Sequence, residues 1–120
     1  MTSNWRDWVI RFKNTCIWSW EGWRDSWATE MGLRQWAVVV VLSDILALVS
    51  DFSVAEQGLI IFAGFMLLAA ELMNTGVEKA CDLVSTDEHP LAKKAKDAGS
   101  AAVAVTALGG LTVWVLVWFG

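Results

Sequence analysis

At 120 residues, with 56% hydrophobic content, one proline and a formal net charge of −4, the chain is too apolar for an ordinary soluble domain of its size. Its mean hydropathy of +0.47 points to a small helical membrane protein, and the negative balance argues against a nucleic-acid partner. Cys16 and Cys81 fall in segments placed below on the cytoplasmic side, where thiols stay reduced, so both are expected free.

Charges recur from Arg6 through Asp25, which is incompatible with the uninterrupted apolar core of a cleavable signal, so the mature chain is expected to start at or near Met1. Over residues 5–28 large apolar side chains repeat at Trp5, Trp8, Val9, Phe12, Cys16, Trp20, Trp23 and Trp27, close to a helical period. Arg6, Asp7, Arg11, Lys13, Asn14, Glu21, Arg24 and Asp25 occupy the other face. Indole rings favour the bilayer interface, and five of the nine tryptophans lie between Trp5 and Trp23. The segment therefore reads as an amphipathic surface helix lying in the interface plane, with a helix packed on a soluble core as the alternative.

A first span is expected over 33–50, where an apolar run carries Asp44 as its one charge between Gln35 and Ser50. Asp51, Phe52 and Ser53 make a tight helical hairpin. A second span, 54–84, crosses from Val54 to Ala70 and continues past Glu71 as a more polar cytoplasmic extension. Ser85 to Pro90 is a polar loop, and a third helix over 91–119 carries no charge from Ala98 to Phe119, about the 20 residues a membrane crossing needs. The whole chain is expected to form one membrane domain of three spans and a surface helix.

Five Lys and Arg residues precede the apolar run that begins at Gln35 (Arg6, Arg11, Lys13, Arg24, Arg34), and the other four are Lys79, Lys93, Lys94 and Lys96. None lies in the 51–53 turn or after the third span. The positive-inside rule places the N-terminus and the His89 loop in the cytoplasm.

This topology gathers Glu30, Glu71, Asn74, Glu78, Asp82, Asp87, Glu88, His89, Lys96 and Asp97 at one membrane boundary. Carboxylates at the hydrocarbon edge are costly and need a partner or a task. Oxygen-rich side chains favour a hard cation such as Mg2+, and nearby lysines with Arg11 neutralise phosphates, which suggests magnesium nucleotide at a membrane surface. Glu71, Asn74, Thr75 and Glu78 share a helix face. Seven residues, roughly 10 Å of helix, separate Glu71 from Glu78, so one ion is not expected to bind both. Glu78 pairs more naturally with Glu30 at a metal, and Glu71, nearer the lipid, suits a base whose proton affinity is raised by desolvation. The chain has no G-x-x-x-x-G-K-[ST], H-R-D or D-F-G motif, so any phosphoryl transfer would have to be organised by carboxylates, metal and scattered cations. Bland roles stay open beside these: His89 as a solvated loop residue, the lysine cluster as a lipid anchor, the small residues from Ala98 to Ala102 as a helix-packing surface.

The stretch Glu71-Leu72-Met73-Asn74-Thr75-Gly76-Val77-Glu78 resembles the E-x-x-N-[ST]-x-[IV]-E signature of the bacterial integral-membrane diacylglycerol kinases. Ala95-Lys96-Asp97-Ala98-Gly99-Ser100-Ala101-Ala102 is similar to their A-K-D-x-G-S-A-A block, and Ser19, Trp20, Gly22, Trp27, Glu30, Arg34 and Gln35 fit their N-terminal region. The resemblance implies an all-α homotrimer in the bacterial inner membrane, with active sites shared between subunits. It implies use of ATP and Mg2+ to phosphorylate diacylglycerol to phosphatidic acid. It further implies Glu71 as base, Glu30 and Glu78 at metal and nucleotide, and Asn74, Asp82, Lys96 and Asp97 as residues needed for activity. Arg11, Trp18 and the Asp87-Glu88-His89 loop match nucleotide contacts; Ser100, with Glu71 and Arg11, belongs to the substrate side. Three positions depart from the family pattern: Trp36 replaces an acid, Gln57 an arginine and Trp18 a tyrosine. The competing readings are an undecaprenol kinase of the same family and a non-enzymatic oligomeric membrane module.

Overall fold

The computed structural model describes residues 4–84 and 86–120. They form four helices in chain order: α1 (Trp5–Thr29), α2 (Met31–Val49), α3 (Val54–Val84) and α4 (Pro90–Phe119). The last three are long and apolar enough to cross a membrane. Ser85, the first residue of the expected polar loop, lies outside the described residues, as does Met1.

Local chemistry explains each helix boundary. The Asn4 backbone N–H donates to Asp7 Oδ2 at 3.1 Å, which satisfies a donor at the start of α1 and sets a carboxylate at the positive end of its dipole. At its other end a single extended residue, Glu30 (φ −102°, ψ 110°), separates α1 from α2. Arg34 reaches back from α2 to the carbonyls of Trp27 (2.7 Å) and Ala28 (3.2 Å), which have no intrahelical donor. The α2–α3 hairpin is closed by a reciprocal cap: Ser53 N–H donates to Glu56 Oε2 at 2.7 Å, and Glu56 N–H donates to Ser53 Oγ at 3.3 Å. Gln57 Nε2 donates to the Ala47 carbonyl at 3.2 Å, tying the start of α3 to the end of α2. At the start of α4 the His89 ring Nδ1 accepts from Leu91 N–H at 3.1 Å, with Pro90 in the first turn where its missing donor is harmless.

α3 is the centre of the bundle, with α2 against it on one side and α4 on the other. The buried positions run in stripes at helical spacing: Leu33, Ala37, Val40 and Ala47 on α2; Ile60, Gly64 and Leu67 on α3; Val103 on α4. Val40, Leu67 and Val103 meet at mid-height, flanked by Trp36, Leu68, Ala70 and Ala107. Gly64 makes this approach possible, since a Cβ there would stand 2.7 Å from Val40 Cγ1. Trp36, one of the departures from the family pattern, has become a packing residue.

Near the hairpin end, Trp114 Nε1 on α4 donates to Ser43 Oγ on α2 at 2.8 Å. Phe52 in the turn packs edge-on against Trp114 and Trp118, with ring centroids 5.8 and 6.0 Å away. Asp44 falls on the α2 stripe beside Gly64, and its Oδ1 is enclosed without a hydrogen-bond partner among the described residues. α1 buries no residue and touches the bundle only sparsely. Cys16 and Cys81 are free thiols.

Candidate active site

The packing stripe of α3 does not stop where the apolar core ends. Ile60, Gly64 and Leu67 are followed at the same spacing by Glu71, Asn74 and Glu78. One helix face therefore carries hydrocarbon through the bundle and then presents two carboxylates and an amide. On α4 the same continuation runs the other way: Trp114, Gly110, Ala107 and Val103 lead to Gly99 and Lys96.

Two glycines let neighbouring helices close over these polar groups. A Cβ at Gly32 of α2 would overlap Glu71 Oε1, and a Cβ at Gly99 of α4 would overlap Asn74 Oδ1. Each polar side chain thus lies against bare backbone. The Asn74 Nδ2 donates to Glu78 Oε1 at 3.3 Å. Its Oδ1 is buried with no hydrogen-bond partner among the described residues, a cost of about 1–3 kcal/mol unless a ligand or water completes it.

Glu30 comes to the same place from the α1–α2 joint. Its Oε1 accepts from Thr29 Oγ1 at 2.9 Å and lies 3.2 Å from Lys79 Nζ of α3. The Thr29 hydroxyl, then the Lys79 ammonium and the Arg34 charge, hold this carboxyl below the usual glutamate range. Glu71 is close enough to feel the charges of both Glu78 and Glu30. Glu30, distant in sequence, thus joins Glu71 and Glu78 of α3 in one negatively charged neighbourhood.

Toward the α3–α4 connection the surface opens into a cleft of about 600 Å³, lined by Asp82, Asp87, Glu88, His89, Lys93, Lys96 and Asp97, with Thr86, Pro90 and Ala92. Lys96 Nζ is 2.6 Å from Asp82 Oδ1, pinning α4 to α3 across its wall. Lys93 and Asp97 pair one turn apart along α4. The lining carries four carboxylates and two lysines that are each paired with one of them, so an anionic ligand would have to bring a cation with it.

No group of three or more His, Cys, Asp or Glu side chains among the described residues is arranged to hold a metal ion alone. Glu78 instead offers a carboxylate bonded to the Asn74 amide, whose Oδ1 is buried without a partner among the described residues, and Glu30 offers a second carboxylate from the α1–α2 joint. That donor set fits Mg2+, which keeps waters and takes one or two protein carboxylates together with substrate phosphates.

The candidate residues therefore fall into two adjoining groups, Glu30, Glu71, Asn74 and Glu78 at the bundle edge and Asp82, Asp87, Glu88, His89, Lys96 and Asp97 around the cleft. Arg11 and Trp18 lie on exposed parts of α1, and Ser100 is exposed on α4; no described contact joins these three to either group. Gly32, Thr29 and Lys79 escaped the sequence reading, whereas Gly99 lies in the small-residue run read as a packing surface. A glycine inside a helical pattern invites a packing reason, which would have found Gly32, but no periodicity marks Thr29 or Lys79.

The model of the prokaryotic diacylglycerol kinase family matches residues 17–118. A diacylglycerol kinase of Helicobacter pylori (strain ATCC 700392 / 26695) is 38% identical over 110 residues, 90% of this chain and 81% of that one. The diacylglycerol kinase of Escherichia coli (strain K12) is 32% identical over 101 residues, 83% of each chain. An undecaprenol kinase of Bacillus subtilis (strain 168) is 35% identical over 68 residues, 57% of this chain and 55% of that one. The polar continuation of the α3 stripe and the A-K-D-x-G-S-A-A start of α4 both lie inside the matched region, and the chain belongs to the prokaryotic diacylglycerol kinase family.

Proposed function

We propose that the protein transfers the γ-phosphate of ATP to the hydroxyl of diacylglycerol at the cytoplasmic face of the bacterial inner membrane, giving phosphatidic acid and ADP. The observation that carries this reading is the single α3 stripe that passes from packed hydrocarbon to Glu71, Asn74 and Glu78. A lipid alcohol approaches such a face from the bilayer and a nucleotide from water.

In this mechanism Glu71, resting against Gly32, accepts the proton of the acceptor hydroxyl as its oxygen attacks the γ-phosphorus. The bond from that phosphorus to the ADP oxygen breaks, and ADP carries the leaving charge. Glu30 and Glu78 hold Mg2+, with Asn74 orienting Glu78 through its amide. Bound magnesium would offset the charge of the β- and γ-phosphate oxygens. Lys96, fixed by Asp82, faces the phosphates from the cleft, with Asp97 beside it. Asp87, Glu88 and His89 meet the nucleoside end. Arg11 and Trp18 contact nucleotide and Ser100 the lipid, from α1 and α4 surfaces that a neighbouring subunit brings into place.

This reading includes a homotrimer with shared sites, an α1 that lies in the interface with its indoles among headgroups, and a cytoplasmic N-terminus. The positive charges before α2 and around the α3–α4 connection support that orientation. Diacylglycerol is preferred to undecaprenol as acceptor because the diacylglycerol kinases match 83–90% of this chain and the undecaprenol kinase 57%. Purified protein given MgATP with either lipid tests both points by following labelled phosphate into the lipid phase. Transfer to undecaprenol alone would reverse the acceptor assignment, and transfer to neither would remove the kinase reading.

A further inference from the structure

Lys79 is a cation that the mechanism above leaves without a task. Its ammonium lies 3.2 Å from Glu30 Oε1, and its side chain is 64% exposed where that of Glu30 is 19% exposed. The pair joins α3 to the α1–α2 joint, and α1 otherwise meets α3 only sparsely. Around the same carboxylate stand the Thr29 hydroxyl and the Arg34 charge, and Glu71 lies in the field of both Glu30 and Glu78.

Three carboxylates so placed repel one another unless a cation sits among them. Lys79 supplies one positive charge from a flexible stem. A divalent ion supplies two to the same oxygens, and a lysine head with most of its surface already in water loses little by swinging away. The ammonium and the metal therefore contend for one carboxylate.

We propose that Lys79 is a built-in competitor for the divalent cation at Glu30, holding that carboxylate while the metal is absent and giving it up when the metal binds. Lys79 thereby sets the metal concentration at which the site fills. The proposal rests on Glu30 being a metal ligand, and the experiment separates the two claims.

Mn2+ alone is titrated into the purified full-length protein in detergent, and the free hexaaqua ion is counted by electron paramagnetic resonance. Lys79→Met should bind Mn2+ roughly three- to tenfold more tightly than the unaltered protein at low salt, given one unit charge removed from a partly screened site. The difference should shrink as ionic strength rises. Lys79→Arg, which keeps the charge, should stay close to the unaltered protein. Equal or weaker Mn2+ binding by Lys79→Met overturns the competition, provided circular dichroism shows its helices intact; a failure of that variant to fold leaves Lys79→Gln to carry the same comparison. Glu30→Gln tests the underlying assignment. If it binds Mn2+ as well as the unaltered protein, Glu30 is no ligand; if it loses Mn2+ while Lys79→Met gains nothing, only the competition fails.

Discussion

Glu71 can serve as a base only if its carboxylate is held where a hydroxyl arrives, and the bare backbone of Gly32 is the surface it rests on. Glu71→Gln keeps the shape and removes the proton acceptor. It should lower turnover by about 10²–10⁴-fold, the usual contribution of general-base catalysis, while the affinity for a non-hydrolysable ATP analogue stays within a few-fold. Equal losses in both would show that Glu71 binds nucleotide and is not the base. Gly32→Ala brings a methyl group into overlap with Glu71 Oε1, so activity should fall although no charged residue is replaced. Gly22→Ala on α1, where nothing lies within 4 Å of the added carbon, is the control: it should keep activity and stabilise the helix by about 0.5–1 kcal/mol. A Gly32→Ala enzyme as active as the control would mean that Glu71 is not confined from that side. At this scale the acids were legible in the sequence because helical spacing and charge at an apolar boundary are one-dimensional signals. The Gly32 contact and the Lys79 partner of Glu30 were not, since each depends on which face a second helix presents, and the Thr29 bond to its chain neighbour has no periodic signature.

The helices are defined by caps that sequence spells out locally and by cross-helix bonds that it does not. Ser53 with Glu56 is a capping box readable from three-residue spacing, and Asp51 to Ser53 marks the turn before it. The bond from Gln57 to the Ala47 carbonyl has no such signature, because its two ends belong to different helices. His89 is instructive in the same way: as a lone histidine in a polar loop it reads as solvated, yet its Nδ1 caps α4 and leaves only Nε2 to meet a ligand in the cleft. The bond from Trp114 to Ser43 joins α4 to α2 over the top of the apolar groove beside α3. Hydrogen bonds between membrane helices average about 0.6 kcal/mol and reach about 1.7. A double-mutant cycle of Ser43→Ala and Trp114→Phe, read by unfolding in mixed detergent, should give a coupling in that range. Additive effects would mean that the indole is held by Phe52 and Trp118 and the hydroxyl contributes nothing.

A single chain leaves most of its large apolar side chains uncovered, from Phe12 (74% exposed) on α1 to Val105 (69%) on α4. Lipid can cover such a surface without penalty, so exposure by itself does not demand a partner. The polar groups make a stronger demand. Arg11 precedes Glu30 by nineteen residues of helix and joint, about 28 Å at 1.5 Å per residue, and α1 meets α2 and α3 only sparsely. Under the proposed shared site, a contact from Arg11 to a nucleotide at Glu78 would come from the α1 of another subunit. That arrangement has a consequence for mixtures. Arg11→Ala removes the α1 contribution and Glu71→Gln the α3 base, and homogeneous preparations of each should be nearly inactive. Unfolded together and reassembled in one membrane, they should regain activity, because some sites then pair an intact Arg11 with an intact Glu71 from different chains. If every site is built within one chain, each carries one lesion in any mixture and no activity returns. Chemical crosslinking of the unaltered protein in the same membranes should stop at a trimer. Recovery with crosslinking that stops at a dimer would keep the shared site and correct the stoichiometry.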